Sequence, residues 1–136
     1  MSFSNHFELL YEKPYIQIGW FTEKKILKVT FLKNYSLYEA TDITIELLGL
    51  LISKQISSLI LHIGIPLEIS EDVRQYTIKE TFPLFEVYGI KKIAYLHFDG
   101  LSFEPLALIK KNFNLSKMKV KVFEGETDAL NWLINK

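Results

Sequence analysis

Two short apolar runs constrain the fold of this chain more than any other feature of its sequence. Residues 58–63 and 93–98 read Ser-Leu-Ile-Leu-His-Ile and Ile-Ala-Tyr-Leu-His-Phe, with almost no polar interruption. A strand with one face in water alternates apolar and polar residues, whereas a parallel strand covered on both faces is apolar almost throughout. The two runs therefore predict central parallel strands in a sheet that is covered on both sides.

The N-terminal quarter of the chain predicts antiparallel strands. Residues 7–11 and 15–21 are rich in aromatic and β-branched types, and the segment 12–14 (Glu-Lys-Pro) separates them. Proline cannot donate to a strand ladder, so the first strand is expected to end before it. Apolar and polar residues alternate over 26–33, which predicts the strand that completes an antiparallel hairpin.

A long helix is predicted after this hairpin. Ser36 and Glu39 have the spacing of a capping box, and apolar residues then recur at helical intervals, which predicts a helix over 37–53. The opposite side of this helix carries Glu39, Asp42 and Glu46 as an acidic stripe. The stripe is either a solvated face or a docking or cation site.

A second helix is predicted from Ser70 to about Tyr88. The Ser70 hydroxyl is expected to accept a backbone N–H at the helix start. Pro83 removes one hydrogen bond inside this helix, so we expect a kink or a split near 81–82. Gly89 can end the helix in a left-handed conformation.

The C-terminal part predicts two further helices around an edge strand. Ser102 is expected to cap the first of these helices. Residues 118–123 alternate between apolar residues and lysine, which suits a strand at the edge of the sheet. The last helix covers 127–134, and Ala129, Leu130, Trp132 and Leu133 form its docking stripe. Trp132 is expected to dock the helix onto the sheet, so that Trp132→Ala costs about 3–5 kcal/mol.

The order of these elements defines the fold class. The predicted order is a hairpin followed by helix–strand repeats. With short connections and right-handed crossovers, these elements form one mixed β-sheet with helices packed against it, which is an α/β architecture. The sequence shows no repeat and no linker, and its 136 residues with 49% hydrophobic content suffice for one core. We therefore predict a single domain over 1–136.

Composition excludes several classes of function. Basic and acidic residues balance at 16 each, so no overall field attracts nucleic acid. Cysteine is absent, which excludes disulfides, thiolate metal sites and a cysteine nucleophile.

The N-terminus does not read as a secretory signal, and no apolar stretch approaches the ~20 residues of a membrane span. A cytoplasmic location is the expectation.

No motif in the sequence predicts catalysis. The chain has no Gly-x-Ser-x-Gly elbow for acyl transfer and no glycine-rich phosphate loop after a strand. We therefore expect a protein that is not an enzyme, with no catalytic residues and no cofactor.

Three C-terminal segments are similar to a recurring pattern of STAS-like domains. They are 91–94 (Lys-Lys-Ile-Ala), 120–124 (Val-Lys-Val-Phe-Glu), and Ala129 with Trp132 and Leu133. The resemblance is to the SpoIIAA-like group, which is also compared with Sec14 lipid-transfer domains. It implies a mixed sheet backed by helices and, in a chain of bacterial type, a non-enzymatic regulatory or protein-interaction module. A protein partner or self-association is implied.

The resemblance also implies a candidate phosphoacceptor. In phosphorylated members of the wider family, a serine lies where a central strand meets the next helix. Ser70 occupies that position here, although Ile69 stands where those members carry aspartate. Ser70 is thus either a regulatory phosphoacceptor or a structural helix cap.

Two other groups of residues are candidate binding sites. His62, His97 and Asp99 fall near the carboxyl ends of the two apolar strands, where α/β folds place ligand sites. They form either a polar pocket, a metal site, or isolated strand histidines.

Phe82, Pro83 and Phe85 form an apolar segment at the predicted break in the second helix. Such a segment either exposes an apolar patch or opens over a pocket. Together with the Sec14 comparison, it suggests the alternative function of carrying or sensing a small apolar ligand such as a lipid.

Overall fold

The computed structural model describes residues 6–63, 69–97 and 118–135. These residues form one sheet of six strands. The strands are β1 (Phe7–Lys13), β2 (Ile16–Phe21), β3 (Ile26–Phe31), β4 (Ser58–Ile63), β5 (Lys92–His97) and β6 (Lys119–Phe123).

The strands lie in the sheet in their order along the chain. β1, β2 and β3 pair antiparallel, and β3, β4, β5 and β6 pair parallel. The two apolar runs are β4 and β5, at interior positions of the sheet, and the lysine-bearing strand β6 lies at its edge. The predicted mixed sheet with an N-terminal antiparallel hairpin is therefore confirmed.

The first strand is longer than its sequence predicts. β1 continues through residues 12 and 13, and a register shift between Leu9 and Tyr11 marks a bulge. Strand β1 ends at Lys13, directly before Pro14. β1 lies at the edge of the sheet and pairs only with β2. A neighbouring proline, which cannot donate a backbone hydrogen bond, is tolerated at such an edge.

The predicted capping box starts helix α1 (Leu37–Lys54). The Glu39 backbone N–H donates to the Ser36 hydroxyl at 3.2 Å, and the Ser36 N–H donates to the Glu39 carboxylate at 2.8 Å. The helix ends at Gln55, which adopts a left-handed conformation with φ 54°. The start of α1 and its length therefore agree with the sequence pattern.

The second predicted helix is divided into three segments. They are α2 (Glu71–Tyr76), a π-helical segment (Thr77–Thr81) and α3 (Phe82–Val87), which together are called the bent helix. The Phe82 N–H donates to the Thr77 carbonyl, five residues back, which inserts one extra residue into the helix. The split falls directly before Pro83, as expected, and Gly89 follows the helix with φ +97°.

Two apolar clusters lie on opposite faces of the sheet. The first joins the sheet to α1 and to the bent helix through residues such as Leu47 and Phe82. The second joins the sheet to α4 (Glu126–Ile134) through Ala129, Leu130 and Leu133. The helix predicted to start at Ser102 lies outside the described residues.

Trp132 contributes less to the attachment of the last helix than the sequence predicts. Leu130 and Leu133 are buried, whereas Trp132 is only half-buried. The Trp132 ring lies 5.5 Å from the Phe123 ring, and the Lys92 ammonium lies 5.1 Å from the Trp132 ring centroid. The leucines, and not Trp132, are therefore the main apolar anchors of α4.

Charged contacts hold both ends of α4. The Lys28 ammonium forms an ion pair with Glu126, at the first turn of the helix. The Lys92 ammonium donates to the carbonyls of Trp132, at 2.9 Å, and Asn135. A carboxylate at the helix start and an ammonium at its end both match the direction of the helix dipole.

Candidate functional site

A cavity of about 200 Å³ lies between α1, the bent helix and the sheet. Its walls are mostly apolar, and its polar groups come from threonine, tyrosine and arginine. Its lining residues are Phe31, Tyr35, Ala40, Ile43, Thr44, Leu47, Leu61, Ile63, Ile69, Arg74, Thr77, Ile78, Thr81, Phe82, Phe85 and Tyr95. Few polar groups in a concave apolar site are typical of small-molecule binding sites.

Two threonines join the helices that border the cavity. The hydroxyls of Thr44 and Thr81 lie 3.0 Å apart, and both side chains are buried. The Thr44 hydroxyl donates its only hydrogen to the Ala40 carbonyl at 2.9 Å, so Thr81 is the donor in the contact between them. This hydrogen bond ties α1 to the π-helical segment at the cavity wall.

Two tyrosines supply the phenol groups of the cavity. Burial raises the pKa of Tyr35 to about 12. Burial also raises the pKa of Tyr95, and the nearby Tyr35 raises it further. Both phenols therefore stay protonated near neutral pH, so neither tyrosine places a charge at the cavity.

The π-helical segment shapes the cavity on one side. Thr77, Ile78 and Thr81 of this segment all line the cavity. An extra residue in a helix redirects the side chains that follow it, and π-helical turns often occur at functional sites. Arg74, one turn earlier, is the lining residue with a full charge and also pairs with Glu71 at 3.3 Å.

The structure places Phe82 and Phe85 at the cavity and not at the surface. Each side chain is 1% exposed, and both line the cavity, with their rings 5.7 Å apart. Pro83 between them is half-buried. Of the two sequence-based alternatives for this segment, the arrangement fits the one in which it opens over a pocket.

Ser70 lies exposed at the start of α2. Its hydroxyl does not accept the backbone N–H predicted for a cap but donates to the Asp72 carboxylate. Asp72 in turn accepts the Val73 N–H at 2.8 Å. The Ser70 hydrogen bond, followed by that from Val73, lowers the pKa of Asp72. The prediction of a capping side chain is therefore wrong, because the Val73 N–H, which a cap would accept, donates to the Asp72 carboxylate instead.

The sheet register separates the two strand histidines. His62 is opposite Leu96, and His97 is opposite Ile63. Successive positions of a strand belong to alternate faces, so positions 62 and 97 belong to opposite faces of the sheet. Asp99, the third member of the candidate polar pocket, lies outside the described residues.

His62 lies on the face that α4 covers. Burial lowers its pKa, the Lys28 ammonium lowers it further, and Glu126 partly opposes this effect. Its Nδ1 atom is buried and has no hydrogen-bond partner among the residues that the structure describes. No group of three metal-ligating side chains occurs within the described ranges 6–63, 69–97 and 118–135.

The polar groups of the cavity are hard to recognise from the sequence. Thr44 falls within the apolar stripe of α1, so a hydroxyl on a buried helix face is the one local signal. The other polar lining residues come from three distant parts of the chain and meet only through the fold: Tyr35, the pair Arg74 and Thr81, and Tyr95.

Comparison with known proteins supports the architecture. The chain is similar to the crystal structure of an uncharacterized protein of the DUF3478 family, with a SpoIIAA-like fold, from Shewanella loihica PV-4. The sequences are 20% identical, the similarity covers 98% of each chain, and the TM-score is 0.58. No family model matches the sequence, and no curated protein matches it significantly.

The similarity therefore shows the fold, which is of the α/β class. Within that class the chain has a SpoIIAA-like fold, as the C-terminal sequence segments predicted. Among the described helices, none has the length and apolar character needed to cross a bilayer.

Proposed function

We propose that this protein is a non-enzymatic STAS-like domain that binds a small apolar ligand in the cavity between α1 and the bent helix. One observation carries the proposal: a partly open pocket of about 200 Å³ with mostly apolar walls lies against the first apolar cluster. A concave, mostly apolar site with a few polar groups is typical of small-molecule binding sites.

The size and chemistry of the cavity limit the ligand. An apolar cavity of about 150 Å³ holds benzene, whereas drug-sized ligands need at least about 300 Å³. The cavity therefore suits one or two rings, or a short alkyl chain. The protonated phenols of Tyr35 and Tyr95 add no charge to the cavity walls, which favours an uncharged ligand.

Binding can be tested with indole as the probe. We expect indole to shift the methyl NMR signals of Ile43, Leu47 and Ile78, which line the cavity. Ala40→Leu should abolish these shifts, since it extends a side chain from the cavity wall into the space. Gly49→Ala, on the outer side of the same helix, should preserve them.

Two results would contradict this proposal. One is the absence of any indole-dependent shift in the folded wild-type protein. The other is unchanged indole binding by folded Ala40→Leu, which would place the ligand elsewhere.

A regulatory role through a protein partner remains part of the proposal. The exposed Ser70 hydroxyl supports it, because a kinase could reach that group. A phosphate there would meet Asp72 and repel it, unlike the neutral hydroxyl. The phosphorylation of Ser70, the cytoplasmic location and the bacterial origin stay predictions.

A further inference from the structure

The outer side of α1 carries a line of exposed apolar side chains, here called the α1 ridge. It consists of Tyr38, Ile45 and Ile52, which are 77%, 63% and 58% exposed. Successive members are seven residues apart, close to two helical turns, so they follow one line along the helix. The line is about 21 Å long, since 14 residues rise about 1.5 Å each.

The ridge is not explained by the packing of α1 on the sheet. The helix already buries a full face that includes Ala40, Leu47 and Leu51. A helix with one buried face normally presents polar residues on the other. Gly49 lies beside the ridge, and a Cβ atom built there would meet nothing within 4 Å. The surface is therefore apolar and open to close approach.

An acidic edge runs along one flank of the ridge. It consists of Glu39, Asp42 and Glu46, the stripe seen in the sequence. Within the described residues, neither Asp42 nor Glu46 forms an ion pair. Burial raises the pKa of the nearby Tyr15, Tyr11 raises it further, and the Glu39 and Asp42 carboxylates add to this effect.

We propose that the α1 ridge docks an amphipathic helix of a partner protein that carries lysine or arginine beside its apolar stripe. Apolar residues of the partner cover the ridge, and its basic residues lie against Asp42 and Glu46. Residues spaced by seven drift about 20° around a straight helix, which suits a partner helix crossing at a shallow angle. About four turns of partner helix span the ridge.

Charge argues against two other occupants. Two antiparallel copies of α1 related by a two-fold axis would bring the same flank of each helix together, so acidic edge would face acidic edge. An anionic membrane surface would likewise be repelled. A basic helix is attracted by the same charges, and this docking is independent of the ligand cavity on the inner side of α1.

The test uses a synthetic peptide of about 18 residues, made of leucine and lysine with the leucines on one helical face. Fluorescence anisotropy of the labelled peptide at low salt should show saturable binding to the wild-type protein. Ile45→Ser with Ile52→Ser should weaken binding at least about tenfold. Asp42→Asn with Glu46→Gln should weaken it as well and reduce its dependence on salt.

Two controls distinguish binding at the α1 ridge from nonspecific binding of the peptide. Val87→Ser removes an apolar side chain of α3 that is 76% exposed, and it should leave the peptide affinity within about twofold. A peptide with glutamate in place of every lysine should not bind. Circular dichroism verifies that each variant is folded, and the charge variant tests the proposal even if the double serine variant unfolds.

Three outcomes would overturn the proposal. The first is equal peptide affinity of wild type and the folded double serine variant. The second is equal affinity for the glutamate peptide. The third is a wild-type dimer in sedimentation that the serine substitutions convert to a monomer, because the occupant would then be a second copy of the chain.

Discussion

Gly19 in β2 lies where a side chain has no room. A Cβ atom built on it would lie 2.3 Å from the Phe7 ring and 2.8 Å from the Glu8 carbonyl oxygen of the neighbouring edge strand. The Phe7 ring can rotate away, but the carbonyl belongs to the strand ladder. The absence of a side chain at this position lets β1 pair closely while Phe7 covers it.

We therefore expect Gly19→Ala to lower the free energy of unfolding by about 1–3 kcal/mol, as overpacking does. Gly49→Ala is the matched control, since it adds the same methyl group to open space in a helix. It should raise the free energy of unfolding by about 0.5–1 kcal/mol. Urea denaturation measures both, and a stabilising Gly19→Ala would mean that β1 is not held as described.

His62 gives a prediction for the pH dependence of stability. Its pKa in the folded protein lies below the ordinary value of 6.5, first because of burial and then because of Lys28. As pH falls below that value, the unfolded chain takes up a proton before the folded protein does, so this contribution to stability is lost through the folded pKa.

Wild type should accordingly lose stability relative to His62→Asn between about pH 7 and about pH 5. Urea denaturation of both proteins across this range measures the difference. Carboxylates shared by the two proteins largely cancel in that difference. A difference that does not change with pH would show that His62 titrates normally.

At the scale of the element, the helical period of the apolar residues predicts which side chains of α4 are buried better than the presence of a tryptophan does. Leu130 and Leu133 follow the helical period and are buried, whereas Trp132 lies between them in sequence and is half-buried. The sequence predicted the helix within one residue of its observed start. It also identified the docking stripe, but it gave the largest share of the packing to Trp132, because tryptophan is apolar enough to suit either a buried or a half-buried position.

Leu130→Ala should therefore cost about 2–5 kcal/mol of unfolding free energy. Trp132→Ala should cost less than Leu130→Ala, contrary to the 3–5 kcal/mol expected from sequence, because its ring is partly in water. Chemical denaturation of the two variants decides between them. A larger loss for Trp132→Ala would mean that the ring is more deeply packed than the structure indicates.

At the scale of the whole molecule, one continuous six-stranded sheet separates the two apolar clusters. Trp20 packs against the first cluster and Trp132 against the second. If 1–136 is one cooperative domain, as the sequence predicts, both faces should unfold together.

The single-tryptophan variants Trp20→Phe and Trp132→Phe test this prediction. Each leaves one fluorescent reporter on one face of the sheet. For each variant, the transition followed by tryptophan fluorescence should coincide with that followed by circular dichroism. Separate transitions would indicate that the two faces are independent folding units.

The sequence by itself determined the elements, their order and the covered central strands, because hydrophobic period and capping residues act within a few positions of the chain. The end of α1 is not predicted in this way: Gln55 ends the helix in a left-handed conformation without a glycine. Local pattern carries no information about such a cap.

Only the tertiary structure decided where function can reside. Lys28 and Glu126 pair across 98 positions of sequence, and Thr44 meets Thr81 across 37. The cavity is the space left when α1 and a helix with one extra residue pack on the same sheet face. Such a space depends on how distant side chains fit together, which no local periodicity encodes.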